Sequence, residues 1–149
     1  MVHLNLFSIT PVGILERKAR ELISESFPGL LAQIKYDIKS YIPVEAENRL
    51  VNKDEFVDGC YDSDTKTVYL NSHSKLHSAI HEIGHAVHDQ LYNFKEFVFS
   101  EEGKSDRAYF NYKEDFAEAF AEIVIRQSDE QPLTKRDLQI NEILRGATK

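Results

Sequence analysis

Cysteine is nearly missing from this chain. Cys60 is the one thiol in 149 residues, which excludes an internal disulfide framework and a cysteine-rich zinc site; Cys60 itself reads as a semi-buried strand thiol. Basic clusters are missing as well. Eighteen Lys and Arg stand against 25 Asp and Glu, a net charge of −7, and no basic run is longer than a pair such as Lys135 and Arg136. The electrostatic footprint of nucleic-acid binding is therefore absent, while an acidic surface suits solubility and weakly favours basic partners. No window approaches the roughly 20 apolar residues of a membrane span, so no membrane partner is expected. Residues 1–15 carry neither a basic leader before an apolar run nor a small-residue cleavage pattern. As written the chain is expected in the cytoplasm, and a secreted form whose leader had been removed would read the same. Internal repeats and low-complexity segments are absent too. The length suits one domain over residues 1–149, expected to be a monomer.

What is present is imidazole in a pattern. His81-Glu82-Ile83-Gly84-His85 reads as HExxH: on a helix, histidines four apart share a face and can reach one metal, with the glutamate beside its water. The helix is supported independently. Leu76, Ile80, Ile83, Val87 and Leu91 recur at helical steps and make one apolar stripe. His77, His81, His85 and His88 fall within about 80° of one another on a second stripe, expected to be the polar face. Ser72 or Ser74 can cap the N-terminus. His77 and His88 read more readily as surface or supporting residues than as a third ligand.

The rest of the chain supplies a scaffold. Thr10-Pro11 introduces a packing helix through Leu15, Ala19, Leu22 and Ile23, which Pro28-Gly29 ends. Ile34, Tyr36 and Ile38 alternate with charged residues as a half-buried strand that Pro43 stops, and residues 44–54 read as a polar connection. Phe56–Tyr61 and Thr67–Leu70 read as a hairpin about the turn residues Asp62 to Lys66. Its second strand leads into the histidine helix, and such a strand beside a cleft can pair with an extended peptide. The aromatics between Tyr92 and Phe110 suggest an irregular wall or short hairpin. Asn111 then caps a second strong helix, with Phe116, Phe120, Ile123 and Val124 on its core side and Glu114, Ala117, Glu118 and Ala121 on another. Small residues there, with Gly84 opposite, would let two helices approach closely. A last, structural helix is expected over Thr134–Leu144, with Thr134 and Asp137 as a capping pair, Leu138 and Ile143 among its buried residues, and Gly146 as its stop.

A catalytic zinc wants three protein ligands and one open position. A third histidine six residues after the second fails here, because that position is Leu91. A glutamate from the second helix remains, with Glu114 and Glu118 as candidates and Glu122 less favoured.

The segment from His81 to Asp89, followed by Glu114-Asp115-Phe116-Ala117-Glu118-Ala119-Phe120, resembles the lethal factor-like zinc metallopeptidases of the gluzincin type, which include the catalytic domain of anthrax lethal factor and the secreted Pro-Pro endopeptidases. The match spans roughly residues 76–124, about a third of the chain, and the glutamate motif is its selective half. The resemblance implies one Zn2+ held by His81, His85 and Glu114, with Glu118 behind the histidines as the carboxylate that orients them. It implies Glu82 as general base and a tyrosine shortly before the ligand glutamate as a hydrogen-bond donor to the oxyanion. Seven residues before Glu114 stands Arg107, a departure from the family; Tyr109 is the nearest candidate for that role and Tyr112 the next.

The expectation is an α+β, zincin-type domain with a small, mainly antiparallel sheet, the HExxH helix and a second, glutamate-bearing helix. It should be a zinc-dependent endopeptidase acting on a peptide or protein substrate. Two alternatives stand beside it: a cytosolic regulatory metalloprotease with a single partner protein, and a zinc-binding interaction module without turnover.

Overall fold

The computed structural model describes residues 11–41 and 59–147. Thr10, Pro43, the polar connection 44–54 and the Phe56 end of the hairpin lie outside them. Among the described residues the architecture is α+β, with four helices and a three-stranded sheet: α1 (Pro11–Ser26), β1 (Asp37–Ser40), β2 (Cys60–Asp62), β3 (Thr67–Leu70), α2 (Leu76–Tyr92), α3 (Tyr112–Ser128) and α4 (Lys135–Ala147). Short 3-10 turns occur at Leu31–Gln33 and Arg107–Tyr109.

The hairpin forms as its turn chemistry dictates. Asp62 Oδ1 accepts the N–H groups of Asp64 at 2.9 Å and Thr65 at 3.4 Å, and the register pairs Cys60 with Tyr69 and Asp62 with Thr67. β3 is the central strand of the order β1-β3-β2. The sheet is mixed, where a mainly antiparallel one was expected, because β1 joins the free edge of β3 in parallel, Asp37 opposite Thr67. The long stretch of chain between β1 and β2 permits such a crossover. β1 also starts later than its alternation suggests. At Lys35 the backbone is taken by a side chain instead: Gln90 of α2 accepts its N–H at 2.8 Å and donates to its carbonyl at 2.6 Å.

α2 runs through the middle of the molecule. Every residue from Ala79 to His88 is buried, so the histidine stripe is no solvent face. α2 and α3 form the most extensively packed pair of elements, and Gly84 is what lets them meet. A Cβ there would lie 2.9 Å from Phe120 Cδ1 and 3.4 Å from Ala117 Cα. Ile23 and Phe27 of α1, Val68 and Leu70 of β3, and Ile123, Ile140 and Leu144 complete the core, with Phe27 stacked on Phe120 at 6.0 Å.

The helix ends differ from expectation in part. Lys75, without a side-chain bond, occupies the N-cap of α2, because Ser74 Oγ accepts the Asn71 N–H at 3.0 Å. Asn111 caps α3 by accepting the Glu114 N–H at 2.9 Å. Thr134 and Asp137 cap α4 reciprocally, at 2.8 and 3.1 Å. Leu138, expected inside, is 55% exposed, and the buried face of α4 is Arg136, Asp137, Ile140 and Leu144. Gly146 lies within the helix rather than ending it. Between α2 and α3 no strand forms: Phe97 and Phe99 pack towards Phe116, whereas Tyr109 and Phe110 face outward. Among the described residues no helix is long and apolar enough to cross a membrane.

Candidate metal centre

The buried histidine face of α2 is covered by the first two turns of α3, so the candidate residues meet across the helix pair. His81, His85 and Glu114 each offer a ligand atom, and these atoms lie within 4.8 Å of one another; the group could hold a metal ion. His81 Nε2 is 2.8 Å from Glu114 Oε2, and His85 Nε2 is 3.0 Å from Glu114 Oε1. Asn111, by fixing the start of α3, aims Glu114 across the gap rather than back along its own helix.

Glu118, one turn on, lies behind the pair. Its Oε2 is 3.1 Å from His81 Nδ1 and 3.3 Å from His77 Nε2, and its Oε1 accepts from Ser105 Oγ at 3.1 Å. A carboxylate on Nδ1 puts a proton there and leaves Nε2 of a neutral ring with its lone pair. That lone pair faces Glu114 Oε2 without the alignment of a hydrogen bond, so His81 Nε2 is a buried nitrogen lacking a hydrogen-bond partner. Two electron-rich atoms held together in a buried site call for a cation between them, and two imidazoles with a carboxylate are a donor set that zinc accepts. In the metal-free protein a proton serves instead. Burial opposes charging of His81, but contacts with Glu114 and Glu118 and the charge of Glu82 outweigh it and raise its pKa to about 10. Burial likewise acts upward on Glu114, yet the two imidazoles hold it well below the usual carboxylate range.

Glu82 faces the same space. It is 4% exposed, and its Oε1 lies 3.7 Å from His85 Nε2. Burial pushes its carboxyl up, against the pull of His81 and His85, the direction that makes a carboxylate a better base. Gly59 packs against it: with φ of +144°, a Cβ there would meet Glu82 Cγ at 3.1 Å and the Tyr69 carbonyl at 3.0 Å.

Two cavities open beside these groups. One, of about 260 Å³, is lined by Cys60, Tyr61, Phe94, Lys113, His85 and Glu114, among others. The other, of about 140 Å³, is lined by His77, Ser78, His81 and Glu118. Gly59, Glu82 and Arg107 border both. A larger cavity, about 800 Å³ between α1 and β1, brings no such ligand set together; there Glu16 accepts from Tyr36 Oη at 2.9 Å and Arg20 at 3.2 Å.

The expected residues are sorted by this geometry. His81, Glu82, His85, Glu114 and Glu118 converge. Glu122 stays apart from them, its carboxyl raised to about 7 by burial first of all. Tyr109 lines neither cavity and is 56% exposed, with Lys104 Nζ 4.3 Å from its ring centre. Tyr112 packs with its ring nearly perpendicular to that of His88 instead. His88 is fully buried, stacked on Phe116 at 4.1 Å, and its Nε2 donates to the Lys95 carbonyl at 2.6 Å. Burial lowers its pKa to about 4, so it is a neutral packing residue. His77 joins the site through Glu118.

Arg107, Ser105 and Gly59 were missed as site residues. Arg107 Nε donates to Glu114 Oε2 at 3.0 Å. Burial opposes its charge, but Glu114, Glu82 and Glu118 keep it firmly protonated. Its place seven residues before Glu114 was the available signal. Compared with family models, with curated proteins and with solved structures, the chain matches none.

Proposed function

We propose that this chain is a zinc-dependent endopeptidase of the lethal factor-like, zincin type, hydrolysing bonds in a peptide or protein substrate. The observation that carries the reading is the convergence of two imidazoles and a carboxylate, within 4.8 Å, beside a buried glutamate that belongs to none of the three ligand positions. His81, His85 and Glu114 would hold the ion, and Glu118 would fix the His81 ring. Zinc supplies Lewis acidity, lowering the pKa of a water and polarising the scissile carbonyl. Glu82 does the proton work. It takes one proton as the water oxygen bonds to the carbonyl carbon, then returns it to the amide nitrogen as the C–N bond breaks, leaving an acid and an amine. The second hairpin strand, β3, expected to pair with an extended substrate, has both edges taken by β1 and β2; the strand residues on the cavity wall are Cys60 and Tyr61 of β2.

A second reading, a zinc-holding interaction module without turnover, has one observation in its favour. The oxyanion tyrosine is not replaced by another: Tyr61, which lines the cavity of about 260 Å³, donates its hydroxyl to Asp89 at 2.7 Å.

The experiment is cleavage of a diverse peptide library by zinc-loaded protein beside Glu82→Ala, with metal content measured on both. Cutting by the wild type alone, with about one zinc on each protein, supports the protease. Zinc on both without cutting favours the second reading, and zinc on neither removes both.

A further inference from the structure

The wall of the cavity of about 260 Å³ has two parts. Glu82, His85 and Glu114 serve the chemistry; Phe94 and Lys113 line the same cavity and take no part in it. Lys113 stands one residue before Glu114 in the first turn of α3, half-buried, with its Nζ 4.2 Å from the centre of the Phe94 ring. The two side chains therefore make one patch of wall, a cation lying on an aromatic face. The ring is fixed in place. Phe94 has a φ of +54°, where bulky side chains are rare. Its N–H is held by the His88 carbonyl at 2.9 Å, and the next carbonyl, that of Lys95, accepts from His88 Nε2 at 2.6 Å. The His88 ring stands nearly perpendicular to it, 5.2 Å away between centres. Strain that the surroundings enforce in this way gathers at sites that clamp ligands.

A ring face attracts an ammonium without satisfying its N–H donors. Among the described residues Lys113 forms no ion pair, and the carboxylate beside it in sequence, Glu114, is engaged by Arg107 and the two imidazoles. A cation so placed selects by sign: a carboxylate answers its donors, a basic side chain is repelled, and a neutral one leaves the charge unmatched. Resting on the endopeptidase reading, we propose that Lys113 is a specificity-determining residue, its ammonium, steadied by the Phe94 ring, pairing with the side chain of an Asp or Glu close to the bond that is cut. The net charge of −7 does not oppose this, because charges more than about 8 Å away through salt solution count for little beside a contact pair in a cleft. An endopeptidase needs no chain end in its cleft, so the partner is a side chain rather than a terminal carboxylate.

The test compares zinc-loaded wild type, Lys113→Met, Lys113→Glu and, as a control, Lys95→Met, whose ammonium lies over Phe97 instead. Cut sites in a diverse peptide library are mapped for each, and zinc content is measured. Paired peptides then carry Glu or Gln at the position the wild type enriches, with free and with amidated C-termini. We expect the wild type to prefer Glu about 10-fold in kcat/KM, equally with either C-terminus. Lys113→Met should bring the ratio near one, and Lys113→Glu should turn it in favour of Gln, with about one zinc retained by both. Lys95→Met should keep the wild-type ratio. Wild-type cutting with no acidic enrichment overturns the proposal and leaves the endopeptidase reading intact. A ratio that survives in both Lys113 variants, or that collapses in Lys95→Met as well, overturns it too. So does a preference abolished by amidation, which would mark a chain-end anchor, or zinc lost from both Lys113 variants, which would make Lys113 a support for Glu114. A wild type that holds zinc and cuts nothing overturns the endopeptidase reading, and this proposal with it.

Discussion

Helix α3 carries buried or half-buried carboxylates on two sides, and the two sides differ in what faces them. Towards α2, Glu114 and Glu118 meet imidazoles at 2.8 to 3.1 Å. Towards α4, Asp115 meets a guanidinium: Arg136 Nη2 is 2.6 Å from Asp115 Oδ1, while Nη1 donates to the Ser100 carbonyl at 3.1 Å. Arg126 and Asp137 extend that second network at 3.1 Å. An arginine does not lose its proton, so the α3–α4 side is a permanent ion pair whose value is structural. An imidazole loses its proton near neutrality and then offers a lone pair. The α2–α3 side is therefore an exchangeable arrangement, filled by a proton in one state and able to accept a metal in another. One helix thus bolts itself to the scaffold on one face and on the other presents a carboxylate to a group that could hold a metal ion.

The comparison is broken most forcefully from the fixed side. Arg136 and Asp137 are 0% exposed and Asp115 is 6% exposed, so Arg136→Met leaves the buried Asp115 carboxylate with only the longer contact to Lys104 Nζ, at 3.7 Å, and should cost about 3 kcal/mol of stability in urea unfolding, whether or not zinc is present. Adding Asp115→Leu should restore much of the loss, because removing both partners removes the stranded charge. A loss that zinc largely repaired would mean the two faces are not separate. Gly84→Ala comes next. Phe120 is fully buried and stacked on Phe27, so it cannot give way to a Cβ at 2.9 Å. Overpacking of about 1–3 kcal/mol should appear in the metal-free protein, and weaker zinc binding should accompany it because the helices must part.

Glu118→Gln acts on the exchangeable side alone. A carboxylate behind a ligating histidine is worth about 10–100-fold in metal affinity, so competition with a chelator should show a loss of that size, while the metal-free urea midpoint falls by less than in Arg136→Met, since Glu114 still faces the His81 charge. If the midpoint falls as far as in Arg136→Met, Glu118 is scaffold rather than support for the ligand set.

The two sides were unequally legible in the sequence. The α2–α3 face could be read because its information is periodic: histidines four apart, glutamates four apart, and an Asn111 cap that sets the phase of α3. The hairpin and the Thr134 cap were legible for the same local reason. The α3–α4 face was not, since Arg136 finds its partners 21 and 36 residues away, and nothing near it in sequence marks it as buried. The parallel pairing of β1 and the Gln90 clamp on Lys35, 55 residues apart, fail for the same reason. Tyr109 was chosen on proximity in sequence, but the turn Arg107–Tyr109 decides which side chain enters the cleft, and it is Arg107 that lines both cavities.

The last expected effect concerns protons. With His81 raised from 6.5 to about 10 in the metal-free protein, its contribution to stability is fully present below pH 6.5. It declines as pH rises and is gone above about 10. Glu114, held below its ordinary value of 4.5, gives the opposite limb: its contribution is present above that value and is lost as pH falls through the depressed one. Urea midpoints of the chelator-treated protein should therefore fall steadily from pH 6.5 towards 10. Saturating zinc should flatten the curve, because a His81 bound through its Nε2 lone pair has no proton there to lose. His81→Gln should flatten it without zinc, since Arg136 has no proton to lose in this range either. If the midpoint falls equally with and without zinc, the proton and the metal are not competing for the same lone pair. The exchangeable face would then be a second fixed network rather than a binding site.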